Sequence, residues 1–88
     1  MAQYRYRPEI LAELLKHGVR PSPTTPPTVV ADFVSDLYRY EIRRLKARLR
    51  RGEVPKESYF DEVVALRGKY PLVSVPVRLW TISVDSKQ

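Results

Sequence analysis

Residues Thr28 to Arg51 read TVVADFVSDLYRYEIRRLKARLRR. At about 100° per residue, Val30, Ala31, Val34, Leu37, Tyr38, Ile42, Leu45 and Leu49 fill one arc of a helical wheel. Phe33 and Tyr40 widen that arc on one side. The opposite arc holds Asp32, Ser35, Asp36, Arg39, Arg43, Lys46 and Arg50. An apolar arc near half the circumference is wider than a single neighbour requires. This helix is therefore expected to touch two neighbours at once and to serve as the spine of the fold. Its expected span is 28–51. Thr25 or Thr28 can cap it, Pro26 and Pro27 are tolerated in or before its first turn, and Gly52 stops it.

Upstream, residues 18–27 form a connector with four prolines, Pro21, Pro23, Pro26 and Pro27, and a stiff, extended backbone. Pro23 to Pro26 has the spacing that an SH3-type groove reads, but a connector needs the same composition. Before it, Pro8 suits a first helical turn, and Ile10, Leu11, Leu14 and Leu15 make one stripe, so a helix is expected over 8–17. Gly18 is a left-handed stop and Val19 supplies its hydrophobic contact. Residues 1–7 are expected as a flexible or extended arm.

Downstream, Tyr59, Phe60, Val63, Val64, Leu66 and Tyr70 give a helical period over 55–69. Pro55 can open this helix, or Ser58 and Asp61 can form a capping box later. Pro71 ends it. Beyond, Val73, Val75, Val77 and Leu79 alternate with other residues, which predicts an extended arm over 71–84. Pro76 bars a central strand but leaves room for a short edge strand at 77–83, paired with residues 3–7. Residues 85–88 are expected to fray. The predicted class is mainly α: a three-helix domain with a long central helix and an extended C-terminal arm.

A chain of 88 residues makes one small domain, with a stability on the order of 5 kcal/mol. The absence of cysteine removes disulfides and thiolate chemistry, and favours a cytoplasmic location. No apolar run approaches the roughly 20 residues of a membrane span, and MAQYRYR lacks the apolar region of a secretory signal.

The formal net charge is +6. Leu37 to Arg51 alone holds seven cations, Arg39, Arg43, Arg44, Lys46, Arg48, Arg50 and Arg51, against Glu41, so the remainder of the chain sums to zero. A field localised on half of one helix can select an acidic partner. Arg39, Arg43, Lys46 and Arg50 form a row about 16 Å long, able to meet phosphates or an acidic helix. Arg44, Arg48 and Arg51 form a second row near the apolar edge, where their stems can cover core side chains. The same rows also suit a merely solvated face complementing a helix C-terminus. No aromatic interleaves the first row, which argues against base stacking.

Glu41 falls inside the apolar arc. A buried carboxylate needs a partner, and Arg44, Arg48, Arg20, Arg67 or Arg78 can supply one. Removal of such a buried pair's acid costs roughly 3–5 kcal/mol. Trp80, the one tryptophan, is expected as a core plug or, alternatively, as an interface anchor beside exposed tyrosines such as Tyr4, Tyr6 and Tyr40. His17 is the one histidine, placed where a helix C-terminus favours a cation. A single histidine without cysteine does not make a zinc site, and no nucleophile motif or phosphate-cradling glycine loop is present. No cofactor, metal, catalytic residue or small-molecule substrate is expected.

Leu37-Tyr38-Arg39 resembles the tripeptide of the LYR-motif proteins, small basic three-helix factors that assist mitochondrial complexes and bind an acylated carrier protein. That family places the tripeptide near the start of its first helix. Here it lies mid-chain in the second, beside a proline-rich connector and a Val-rich tail foreign to the pattern, and no family follows from it. The expected function is a non-enzymatic interaction module that docks an acidic protein or self-associates. The alternative is a nucleic-acid-binding module contacting phosphates through Arg39, Arg43, Lys46 and Arg50.

Overall fold

A computed structural model describes residues 3–82. The chain runs as strand β1 (Arg5–Tyr6), helices α1 (Pro8–Leu15), α2 (Pro27–Arg50) and α3 (Lys56–Lys69), two 3-10 turns (Pro71–Ser74 and Val77–Leu79) and strand β2 (Thr81–Ile82). The fold is mainly helical, with the long central helix and the short terminal strand pair that the sequence predicts. Among the described residues no helix is long and apolar enough to cross a membrane.

Backbone chemistry sets the helix limits. Gly18 and Gly52 hold positive φ, 75° and 78°, a region where glycine carries no Cβ penalty. At the first, the Gly18 N–H bonds the Leu15 carbonyl at 2.9 Å and the Val19 N–H reaches back to Leu14 at 3.0 Å. At the second, Gly52 bonds Leu49 at 3.0 Å and Glu53 bonds Arg48 at 2.9 Å. Both are paired left-handed stops that satisfy carbonyls a helix end would otherwise orphan. The N-termini depart from expectation, because no side chain caps α2 or α3. Pro27 occupies the first turn of α2, where its missing N–H costs nothing. The Thr25 hydroxyl instead accepts the Ser22 N–H at 3.0 Å and tightens the connector.

The extended arm predicted over 71–84 is not extended through residues 71–79. Pro71 and Pro76 each pre-set φ at the entry to a 3-10 turn. The turns swing Leu72 and Trp80 inward and leave Val73 and Leu79 outside, so the alternation of apolar residues follows turns rather than a pleat. The predicted edge strand survives as β2, antiparallel to β1 with Arg5 opposite Ile82 and Tyr6 opposite Thr81. The Arg7 N–H adds a bond to the Trp80 carbonyl at 3.0 Å. The last residues of the predicted arm, 83–84, and the tail 85–88 lie outside the described residues, as do residues 1–2.

The buried core gathers at one end. Tyr6, Ile10, Leu14, Val30, Val34, Tyr70, Leu72 and Trp80 form one cluster around the first half of α2. Trp80 is 1% exposed and donates its indole N–H to the Val75 carbonyl at 3.1 Å. The Tyr6 hydroxyl donates to the Thr25 carbonyl at 2.6 Å and anchors the connector over the core. Beyond this head, the second half of α2 and α3 continue as a helical hairpin. Its own buried side chains are few, Leu45 and Val54, and α3 buries none fully. The molecule is consequently long, 57 × 18 × 17 Å, with a radius of gyration of 16.3 Å, against about 12 Å for a compact chain of this length.

Trp80→Ala removes the largest plug of the head and is expected to lower stability by about 3–5 kcal/mol, close to the whole margin of so small a domain. Urea denaturation followed by circular dichroism measures it. A variant with the parent's urea midpoint contradicts the assigned core.

Candidate interaction face

The hairpin carries the charge. Arg39, Arg43, Lys46 and Arg50 are all exposed along the outer side of α2. Arg39 pairs with Asp36 at 2.9 Å, but both side chains are mostly in water and such a pair contributes little. Arg43, Lys46 and Arg50 have no ion-pair partner among the described residues. Their charges are held in solvent by a helix whose register the head fixes.

Arg44 and Arg48 do more than cover core side chains. With Glu41, Leu45, Glu62 and Leu66 they line a groove between α2 and α3. Arg48 also approaches Glu53 at 3.8 Å, and Arg51 holds the same carboxylate at 2.6 Å. Their i, i+4 spacing next to the apolar arc was the available signal for this groove. Its other wall comes from α3, and no wheel of α2 alone reveals it. Phe33 and Tyr40 do not widen the core: both are exposed. Tyr40, 54% exposed, lies between the two cationic rows with the Arg44 guanidinium 5.8 Å from its ring centre. An aromatic therefore adjoins the basic face without interleaving its first row.

Trp80, expected as a plug or as an interface anchor, is not on the exposed face, because its ring is enclosed in the head. Tyr6 is buried with it and Tyr4 packs against the same cluster. Glu41 is not the fully buried carboxylate that the wheel predicts. Its side chain is 29% exposed, and its partners are Lys69 at 3.2 Å and the Tyr70 hydroxyl, which donates at 2.8 Å. None of the predicted arginines bonds it. The arc at this level is covered by α3 alone, so the carboxylate reaches water past the edge of that helix.

Tyr70 is the residue that wheel reasoning missed. It is buried at the junction of head and hairpin. The His17 ring stacks on it with centroids 4.5 Å apart and planes 7° from parallel, and Tyr38 meets it edge-on at 5.7 Å. His17 thus serves as a packing surface for Tyr70 from the turn after α1. The Tyr70 hydrogen bond, chiefly, holds the Glu41 carboxyl below its ordinary value, with Lys69 adding to it. Burial, reinforced by the same bond and the adjacent carboxylate, pushes the Tyr70 phenol up to about 12.

Apolar side chains on α3 are also in water: Phe60 is 72% and Val64 51% exposed. Comparison with protein-family models, curated proteins and solved structures found no match to this chain.

Glu41→Ala leaves the Tyr70 hydroxyl without its acceptor and is expected to cost about 1–3 kcal/mol, below the 3–5 kcal/mol of a fully buried pair. Paired urea titrations of parent and variant decide between these ranges. The pH profile has two limbs. Glu41 has a lowered folded value, so its contribution is present above the ordinary carboxylate range and is lost as pH falls through the folded value. Tyr70 has a raised folded value, so its contribution is complete below 10.0, the ordinary phenol value, and is lost as pH rises toward about 12. Tyr70→Phe should flatten the alkaline limb, and an unchanged slope there refutes the assignment.

Proposed function

We propose that this protein is a non-enzymatic, cytoplasmic interaction module whose α2–α3 hairpin docks an acidic protein or self-associates. The single observation that supports this best is the hairpin itself. It stands off a well-packed head, exposes Phe60, Val64 and Tyr40, and carries Arg43, Lys46 and Arg50 without ion-pair partners. Exposed aromatic and aliphatic groups ringed by cations are the chemistry of a docking surface.

The exposed row of Arg39, Arg43, Lys46 and Arg50 favours a second reading, phosphate contacts to nucleic acid, and Tyr40 beside it offers a ring face to a base.

Fluorescence anisotropy against mixed-sequence RNA, mixed-sequence DNA and an acidic polypeptide, each across a salt series, separates the two. Phosphate contacts require that binding fall steeply with salt, and that each Ala substitution in the row lower the slope by about one. Binding of the acidic polypeptide, or self-association, with neither nucleic acid bound at low salt supports the interaction module. A strictly monomeric protein that binds none of the three overturns it.

A further inference from the structure

The apolar arc of α2 is wide enough for two neighbours along its whole length. In the head it finds them. In the hairpin it has one, α3. Toward α3, α2 presents the half-buried Glu41 and the buried Leu45, while α3 presents Tyr59, Val63 and Leu66, each half-buried. Turning from this contact line in each chain's own sense reaches Ile42 and Leu49 on α2, and Phe60 and Val64 on α3. Turning the other way reaches Arg44 and Arg48 on α2, and Glu62 on α3. In an antiparallel pair, equal turns land on the same side, and Arg44, Arg48 and Glu62 do line one groove. The opposite side of the hairpin is therefore an apolar strip of Ile42, Leu49, Phe60 and Val64, bounded along α3 by the exposed cations Lys56 and Arg67 at its two ends.

The strip's two edges differ in sign. Its α2 edge is Lys46 and Arg50, and its α3 edge is Glu57 and Asp61; none of the four has an ion-pair partner among the described residues. Because Lys69 reaches Glu41, counting back eight residues along α3 sets Asp61 level with Leu49, between Lys46 and Arg50. An acidic foreign helix would suit one edge and be repelled by the other. A second copy, turned about an axis along the hairpin, satisfies both.

We infer that the Phe60–Val64 strip is covered by the same strip of a second copy of this chain, with α2 of each copy against α3 of the other, in a four-helix bundle. This rests on the interaction-module reading and names its partner. The two-fold operation makes the contact self-complementary. It buries the apolar strip and sets Asp61 of each copy beside Lys46 and Arg50 of the other. The alternative register, α2 against α2, would oppose cation to cation.

Sedimentation equilibrium of the full chain over a broad concentration range tests it. The parent is expected to dimerise reversibly. Phe60→Asp should weaken dimerisation by about tenfold or more, with an unchanged circular dichroism spectrum, since the side chain is mostly in water already. Asp61→Lys should also weaken it, and adding Lys46→Asp should restore part of the loss. A parent that stays monomeric at its highest attainable concentration overturns the inference. So does association indifferent to Phe60→Asp, or a double charge reversal no tighter than Asp61→Lys alone. A monomer that still binds the acidic polypeptide sinks the inference and spares the interaction module, whereas a monomer binding none of the three probes sinks both.

Discussion

Tyr70 sits where the three helices converge, and the arrangement of head and hairpin depends on it. Its ring carries His17, from the turn after α1, on one face and Tyr38, from α2, at its edge. Its hydroxyl is tied to Glu41 one turn further along α2. The residue also ends α3, and Pro71 behind it prevents the helix from running on. One side chain thus fixes how far α3 travels back along α2 and where the chain enters the head. A phenol at this position does what a leucine could not, since it fills the apolar junction and still offers a donor to a carboxylate at its edge.

The head and hairpin are unequally consolidated. The head encloses Trp80, Leu14 and Val34 almost completely. The hairpin relies on Leu45, Val54 and a line of half-buried contacts. Isolated helices of this length are marginal in water, so α3 draws its stability from α2 and from the Tyr70 anchorage. Local opening should therefore begin at the hairpin tip and spare the head. The two Schellman stops differ in the same way: Val19 after Gly18 packs on the head core, whereas Glu53 after Gly52 turns to Arg48 and Arg51 at the surface.

Helix limits were legible because Gly18, Gly52, Pro27 and Pro71 act through their own backbone chemistry. Trp80 was legible as a plug for the reason any large ring is in a short chain. The segment 71–79 was not. Its β-branched alternation matches a strand, whereas Pro71 and Pro76 act as more than obstacles to pairing and open two 3-10 turns. Glu41 was misjudged because a wheel gives direction but not coverage, and coverage depended on α3 lying to one side of it. Its phenolic partner lies 29 residues away, beyond any periodic signal. The basic row of Arg39, Arg43, Lys46 and Arg50 was read correctly as facing outward, since charge opposite an apolar arc has nowhere else to go. The groove formed by Arg44 and Arg48 required knowing which flank of α2 the next helix takes.

The pairing of β1 with β2 joins the chain near its two ends, at Arg5–Ile82 and Tyr6–Thr81. Antiparallel strands pulled from adjacent ends peel apart one bond at a time, the weakest mechanical geometry a sheet offers. Tension applied through the two ends would load that short ladder and then the Trp80 plug beside it. The hairpin would remain outside the load path, so its exposed side chains are mechanically insulated from whatever tugs on the strand pair.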